Sequence, residues 1–465
     1  MDRLSPLDAA FLHIEDDVNL MHIGSVGIFE GPPPPFEELA AMVNGKLPLV
    51  PRYRQRVRDV PFELGRPVWV DDPHFSLDYH LRHTALPAPG GREELRNLVG
   101  RVMAQRIDLS KPLWEMWVAE GLVDDQWALI SKVHHALVDG VSGTDLLGVI
   151  LDPSPDASPA VPDTWDPESP PSNLRLVTET VGDYLGSPRE QLRAVRARFR
   201  APRRVVRSVA ANVKGFAAMT PLVRPRSPSV LLGHIGPHRR YAWMEGSLAD
   251  IKAIRSVFGG SVNDVILAVV TRGYRDLLMA HDEDVTDRTV RSLVPVNVRT
   301  ESERGSFNNR VAALFADLPV GIADPVERLV AVRGEMDTLK HSGQAVATDT
   351  LVTTAAGFAP PAALAFGTRL AFKATHAASR QLVETVTTNV PGPQFPLYAA
   401  GRQMQTAFPY VPIAGPIRVG TAIFSYHGRI TIGVTADRDS IDDLEVMVRG
   451  IEEGLAELVQ RAEEV

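Results

Sequence analysis

An apolar run that ends in two adjacent histidines constrains the fold of this chain more than any other stretch. Residues Trp127 to Val133 have the length and composition of a buried strand, and His134 and His135 follow directly. Gly140 indicates a sharp turn, and residues Ser142 to Ile150 resemble the start of a helix. The sequence therefore predicts a strand, a turn and a helix, with the histidine pair at the end of the strand.

The two histidines are expected to differ in role. Neighbouring side chains on a strand point to opposite faces, so His134 and His135 do not share one pocket. Joint metal ligation is therefore disfavoured, and the chain has no cysteine and no HExxH motif to supply further ligands. A neutral imidazole is suited instead to taking a proton from a hydroxyl group. We expect one histidine to act as a general base and the other as scaffold, with no metal site.

Asp139 lies four residues after His135 and has two candidate roles. It orients the imidazole, as the acid does in a hydrolase triad, or it braces the loop by pairing with an arginine elsewhere. Gly140 follows directly and indicates a sharp backbone turn, which favours bracing. A histidine pair alone is more often structural than functional. The pair with aspartate and glycine at fixed offsets is a specific motif.

The motif HHxxxDG, from His134 to Gly140, resembles the signature of a superfamily of coenzyme A-dependent acyltransferases. That superfamily includes chloramphenicol acetyltransferase and the condensation domains of nonribosomal peptide synthetases. Four further stretches narrow the resemblance to the bacterial wax ester synthase/diacylglycerol acyltransferase family. They are Leu4-Ser-Pro-Leu-Asp-Ala-Ala-Phe11, Pro112-Leu-Trp114, Asn263-Asp264 and Asn389-Val-Pro-Gly-Pro393. They extend over nearly the whole chain in the order typical of the family.

The resemblance implies an α/β fold with mixed sheets, in which two chloramphenicol acetyltransferase-like domains face one another across a central tunnel. His135, the second histidine, corresponds to the catalytic base. It would take a proton from the hydroxyl of diacylglycerol or a long-chain fatty alcohol, and the oxygen would attack the thioester of acyl-CoA. Acyl-CoA is a co-substrate here, and we expect no cofactor.

Asn389 is a candidate donor to the oxyanion that this attack creates. It ends a predicted strand and precedes a proline-glycine turn, which fixes it in place, and preorganised donors stabilise developing charge best. Gly392, in the same motif, and Ser142, just after the histidine motif, are further candidates for substrate binding.

Pro112 and Trp114 are also candidate substrate-binding residues because their motif belongs to the family pattern. Trp114 is also explained as a core aromatic, and this structural role is favoured over substrate binding.

Three polar residues are expected to be structural. Asn263 and Asp264 suit a helix N-terminus, where short polar side chains satisfy free backbone N–H groups. Arg299 ends a predicted strand and is the candidate partner of Asp139, because an arginine often pairs with the motif aspartate in the superfamily.

The periodicity of apolar residues predicts several further elements. Strands are expected at Met21–Phe29, Arg418–Tyr426 and Ile430–Ala436, and a hairpin is expected to join Glu115–Leu122 to the strand before His134. Helices are expected at Phe36–Lys46, Arg92–Arg106 and Ser440–Arg461.

Length and composition limit the domain organisation and the location of the protein. A chain of 465 residues exceeds the size at which one core stops growing, so we expect domains at residues 1–170 and 241–465 with a linker at 171–240. The absence of cysteine excludes disulfides and fits a reducing interior. No signal region or run of roughly 18 apolar residues is present, and the net charge is −8. We therefore expect a cytoplasmic protein that does not bind nucleic acid.

The linker contains a basic, amphipathic helical segment that is rich in arginine. Its arginines are Arg189, Arg193, Arg196, Arg198, Arg200, Arg203, Arg204 and Arg207. Such a segment suits the inner membrane face or a lipid-droplet surface. A helix that bridges the two halves, with solvated arginines, explains it equally well, and coenzyme A phosphates are a third possible partner.

Two other function classes remain open on the sequence. A serine hydrolase is disfavoured because no GxSxG elbow follows the histidine motif. A condensation-type acyltransferase with another alcohol or amine acceptor shares the motif. A non-catalytic lipid-binding relative is the other alternative, although both histidines and the aspartate are intact.

Overall fold

The computed structural model describes residues 2–138, 146–156, 161–186, 228–297, 311–342 and 383–465. The strands are β1 (Asp2–Arg3), β2 (His22–Phe29), β3 (Gln55–Arg58), β4 (Val68–Asp71), β5 (Leu81–Ala85), β6 (Trp114–Glu120), β7 (Trp127–His134), β8 (Arg239–Ser247), β9 (Val290–Asn297), β10 (Val311–Leu318), β11 (Thr385–Pro391), β12 (Tyr398–Ala399), β13 (Arg402–Tyr410), β14 (Val419–Tyr426) and β15 (Arg429–Asp437). The helices are α1 (Pro6–Ile14), α2 (Phe36–Lys46), α3 (Leu77–His80), α4 (Arg92–Met103), α5 (His135–Val138), α6 (Leu146–Ile150), α7 (Asn173–Gly186), α8 (Leu248–Phe258), α9 (Val262–Ala280), α10 (Pro325–Ser342) and α11 (Leu444–Glu463). Short 3₁₀ helices lie at Leu47–Leu49, Pro51–Arg54, Pro61–Glu63 and Val123–Asp125.

The first large sheet has six strands in the order β12-β13-β2-β7-β6-β5. Strand β7 lies near its centre and pairs antiparallel with β2 and with β6, and the parallel strand β5 makes the sheet mixed. Every residue of β7 is buried, as its continuous apolar run predicts. The predicted hairpin of β6 and β7 is confirmed, and it delivers the histidine pair to the end of a central strand.

The second large sheet has the order β10-β9-β11-β14-β15-β8. Strand β11 runs parallel to both β9 and β14, while the other pairs are antiparallel. Helices α9 and α11 pack on each other and share one hydrophobic cluster with the buried residues of this sheet. The cluster fixes the second sheet, whose strand β11 carries Asn389.

The second half of the chain does not form one separate unit. Strands β12 and β13 leave it and complete the first sheet, where Phe408 of β13 lies opposite Val26 of β2. Residues 241–465 therefore contribute strands to both sheets. A β-strand does not encode its partner in its own sequence, so local patterns could not show this crossover. The expected boundaries near 170 and 240 stay predictions.

Helix α4 packs between the two sheets. The guanidinium of Arg96 donates to the backbone oxygen of Trp243 on β8 at 3.0 Å and lies over the Trp243 ring. A Cβ atom at Gly100 would lie 2.7 Å from the backbone oxygen of Arg239, so glycine permits the close approach of α4 to β8. The two halves are thus in direct contact along α4, whereas the expected central tunnel stays a prediction.

The structure agrees with most of the predicted elements. Helix α2 has the predicted bounds, and α4 ends at Met103, three residues earlier than predicted. In the described ranges no single helix combines the length and apolarity of a membrane span. Helices α8 and α9 meet that criterion only as a pair, bent by 103°. The arginines from Arg189 to Arg207 lie outside the described residues.

Candidate active site

His134 is held by hydrogen bonds on both ring nitrogens. Its side chain is completely buried at the end of β7. The backbone N–H of Ala136 donates to Nδ1 at 3.1 Å, so Nδ1 is an acceptor and Nε2 carries the proton. Nε2 lies 2.8 Å from Oε2 of Glu15 and donates to it. With both nitrogens engaged and no exposed surface, His134 has the contacts of a scaffold residue.

His135 is the first residue of α5 and is partly exposed. Its backbone N–H donates to the oxygen of Met21 at 2.8 Å, and its ring lies against the ring of Phe11, with centroids 4.1 Å apart. Burial lowers the pKa of His135 to about 4, and His134 acts in the same direction, while a hydrogen bond with its own backbone opposes them. The imidazole is therefore neutral near pH 7 and able to accept a proton.

A cluster of buried polar groups lies behind the histidine pair. His22 faces His134 across the β2–β7 pair, and its Nδ1 lies 4.0 Å from Oε1 of Glu15. Burial holds the pKa of His22 well below its usual range, with Lys132 adding to the effect. The Lys132 ammonium donates to the oxygens of Val102 and Gln105 at the end of α4, and burial lowers its pKa to about 8. His22, Lys132 and His134 thus form a buried polar cluster at the end of β7, next to the hydrophobic cluster that contains Ala128 and Ile130 on the same face.

Glu15 was not identified from the sequence as a functional candidate. It follows α1 as its C-terminal cap and pairs with a residue 119 positions away, a contact that no local pattern predicts. The only feature of the sequence that could have indicated Glu15 is its position. It lies four residues after Phe11, the last residue of the first family-like stretch.

Asn389 and Asn263 are brought together by the fold. Nδ2 of Asn389 on β11 donates to Oδ1 of Asn263 at 2.9 Å. Helix α9 is capped instead by Ser261, whose Oγ accepts from the Asp264 N–H while Oδ2 of Asp264 accepts from the Ser261 N–H. Asp264 thus has the expected capping contacts. Asn263 was expected to cap the helix by accepting from a free backbone N–H group. Its side-chain oxygen instead accepts from the amide of Asn389.

Gly392 has a packing role in the structure. Its backbone N–H donates to the oxygen of Ser425 at 2.9 Å, so this N–H is already engaged. A Cβ atom at this position would lie 2.3 Å from the Phe424 ring and 2.5 Å from the Ser425 oxygen. Phe424 packs against the hydrophobic cluster that contains Leu137 of α5. These contacts argue against substrate binding at Gly392 and favour a packing role.

Pro112 and Trp114 are buried in the core of the first sheet. The Trp114 side chain is fully buried, its indole N–H donates to the oxygen of Tyr53 at 2.8 Å, and its ring stacks on His80. The expectation that these residues bind substrate is therefore not supported by their burial, and the packing role is favoured. Leu113, between them, accepts the His134 N–H at 2.9 Å through its backbone oxygen. The motif thus supports the strand end that carries the histidines.

Four predicted site residues, Asp139, Gly140, Ser142 and Arg299, lie outside the described residues. The roles expected for them stay predictions.

Sequence comparison identifies two domain models along the chain. Residues 4–266 match the wax ester synthase/diacylglycerol acyltransferase catalytic domain, and residues 307–459 match the C-terminal domain of the same family. The chain is also 35% identical over 469 residues to a probable diacylglycerol O-acyltransferase of Mycobacterium tuberculosis, covering 99% of this chain and 96% of the relative.

Solved structures with the same fold include acyltransferases and condensation domains. The wax ester synthase/diacylglycerol acyltransferase from Marinobacter aquaeolei VT8 matches with a TM-score of 0.69 and 26% identity, covering 99% of this chain and all of that one. A starter condensation domain of rhizomide synthetase, solved in complex with C8-CoA, matches with a TM-score of 0.55 and 12% identity, covering 100% and 94%. The latter resemblance shows the fold alone, which is of the chloramphenicol acetyltransferase type.

Proposed function

Because this chain belongs to the wax ester synthase/diacylglycerol acyltransferase family of acyltransferases, we propose that it moves a long-chain acyl group from acyl-CoA to a lipid hydroxyl group. The acceptor is diacylglycerol or a long-chain fatty alcohol, and the product is triacylglycerol or a wax ester. The name of the Mycobacterium tuberculosis relative favours diacylglycerol, and the name of the Marinobacter enzyme includes both activities.

The observation that carries this proposal is the difference between the two histidines. His134 is buried with both nitrogens engaged, whereas His135 is partly exposed and neutral. In the proposed mechanism, His135 takes the proton of the acceptor hydroxyl as the oxygen attacks the thioester carbonyl. The tetrahedral intermediate then expels the coenzyme A thiolate, which takes the proton from the imidazolium. The lowered pKa of His135 makes its imidazolium a stronger acid than an ordinary one and so favours this second transfer.

Asn389 is the proposed donor to the oxyanion of the intermediate. A side-chain amide has two N–H donors, and one of them is directed at Asn263. This contact fixes the plane of the amide and leaves the second N–H for the oxyanion. Preorganised donors of this kind lower the barrier because they do not have to reorient as charge develops.

The substrates also indicate where in the cell the protein acts. Diacylglycerol, fatty alcohols and their esters are poorly soluble in water, so we propose a cytoplasmic protein that rests on the inner membrane face or on lipid droplets. Co-flotation of the purified protein with vesicles that contain dioleoylglycerol tests this, and a protein that stays at the bottom of the gradient contradicts it.

The activity is tested by thiol release from palmitoyl-CoA, with dioleoylglycerol or hexadecanol as acceptor. We expect release only when an acceptor is present, and we expect the His135→Ala variant to lose it. The preferred acceptor then defines the reaction. A wild-type protein that is inert with both acceptors, or a fully active His135→Ala variant, would contradict the proposal and favour a lipid-binding protein or a condensation-type enzyme.

A further inference from the structure

The segment from α1 to β2 contacts both histidines of the motif. Glu15, the cap of α1, accepts a hydrogen bond from His134. Met21 accepts the backbone N–H of His135, and Phe11 lies against the His135 ring. Two neighbouring residues of the motif are thus held by a single stretch of chain more than 110 positions away.

The Glu15 carboxylate lies in the protein interior, where desolvation makes a charge unfavourable. Its side chain is completely buried, and the nearest guanidinium atom, Nε of Arg106, lies 3.9 Å away on a side chain that is 42% exposed. The short contact of Glu15 is the one with Nε2 of His134. A protein with a buried carboxylate is often less stable than the same protein with an apolar side chain of similar size at that position. A contribution to folding stability therefore does not explain why Glu15 is a carboxylate.

The hydrogen bonds of the His134 ring link Glu15 to the backbone next to His135. Oε2 of Glu15 fixes the proton on Nε2, and this leaves Nδ1 as the acceptor for the backbone N–H of Ala136. Ala136 directly follows His135, so the His134 ring fixes the peptide on which His135 stands. If the ring rotated, Ala136 would lose its partner and the first turn of α5 would be free to shift.

We propose that Glu15 is a positioning residue for His135, acting through the ring of His134. This inference rests on the proposed function of His135 as general base. Glu15 does not touch the substrate, so its removal affects the rate of the transfer and not substrate binding. A shift of about 1 Å in a catalytic group can cost roughly 100-fold in rate.

The test compares three substitutions with a matched control. Glu15→Met keeps the size of the side chain and removes the acceptor, whereas Glu15→Gln keeps an oxygen that accepts from Nε2. Glu15→Asp keeps the charge but shortens the reach. Asp17→Asn removes a carboxylate two residues away that is 93% exposed and also pairs with Arg106. For each variant, kcat and KM for acyl-CoA and acceptor are measured, together with the thermal melting temperature.

We expect Glu15→Met to lose about 100-fold in kcat with KM within twofold of wild type. Glu15→Gln should regain most of that loss, and Asp17→Asn should match wild type. If Glu15→Met does not fold, Glu15→Asp decides, and a loss of kcat at unchanged KM supports the proposal. Unchanged kcat in the folded variant, or a raised KM with unchanged kcat, overturns it.

The same data separate this inference from the proposed function. If wild type transfers no acyl group, the proposed function fails and the positioning role fails with it. If wild type is active and His135→Ala is not, while Glu15→Met keeps its kcat, only the positioning role is overturned.

Discussion

The side chain of Asn389 donates a hydrogen bond of 2.9 Å to the side chain of Asn263, which lies 126 positions earlier in the chain. One residue is on a central strand of the second sheet and the other is in the first turn of α9. Two motifs that are separate in the sequence therefore form one unit, in which the helix fixes the orientation of the amide.

The Asn389–Asn263 pair predicts a non-additive loss of activity. Asn389→Ala should lower kcat by about 100- to 1,000-fold, as loss of an oxyanion donor does. Asn263→Ala should cost less, because the amide remains but rotates more freely. Since both changes act on one amide, the double variant should be no slower than Asn389→Ala alone.

These variants are measured by steady-state thiol release, with Asn173→Ala as the control. Asn173 accepts from Arg58 in an exposed pair. An Asn389→Ala variant with wild-type kcat would mean that another group stabilises the oxyanion.

The pH dependence of the rate follows from the burial of His135. Its pKa is lowered to about 4, so the base stays neutral as pH falls through 6.5, and kcat/KM should be flat on the acid side down to about pH 5. Phe11→Ala removes the ring that covers it. The pKa of His135 should then rise towards 6.5, and the variant should lose activity between pH 6.5 and 5, where wild type does not.

The pH profile is recorded for wild type, Phe11→Ala and Phe62→Ala, whose ring is 88% exposed. Phe62→Ala should follow wild type. A wild-type acid limb centred near pH 6.5 would show that the base is not an imidazole with the lowered pKa of His135.

The close contacts of Gly392 predict that a larger residue at this position destabilises the protein. In Gly392→Ala the new methyl group would meet the Ser425 oxygen, which belongs to the backbone and cannot turn away. We expect a loss of about 1–3 kcal/mol in the free energy of unfolding, as overpacking typically causes. Urea denaturation measures it.

Gly334→Ala is the matched control for Gly392→Ala. Gly334 lies within helix α10 with open space around the position of a Cβ atom. Alanine there should stabilise the protein by roughly 0.5–1 kcal/mol. Equal effects of the two changes would show that the contact at Gly392 is not tight.

A substitution of Trp114 distinguishes a packing role of this residue from a role in substrate binding. Trp114→Phe removes the indole N–H and leaves the buried Tyr53 oxygen without this donor. Stability should fall by about 1–3 kcal/mol while KM for both substrates is unchanged. A large rise in KM at unchanged stability would instead restore the substrate-binding role that the family motif suggested.

Elements with a strong local period were predicted well. The apolar spacing of α2 gave its bounds, and the continuous apolar run of β7 gave a buried central strand. Strand β13 and its place in the first sheet were not predicted, because a half-buried strand can pair with any strand of matching pattern. The sequence predicted that the two histidines differ in role, and the family resemblance assigned the base to His135. The expectation that both lie on the strand was wrong, because β7 ends at His134 and His135 begins α5. Their side chains still have different contacts, and their roles stay predictions.

The sequence by itself determined the histidine motif, the strand that carries it and the resemblance to an acyltransferase family, because these depend on neighbouring residues. The tertiary structure decided which distant groups complete the site. Glu15 reaches His134, Asn263 reaches Asn389, and β13 joins the first sheet. Each of these contacts depends on the path of the chain between its partners, and a buried polar group acquires its role only when folding brings a partner within hydrogen-bonding distance.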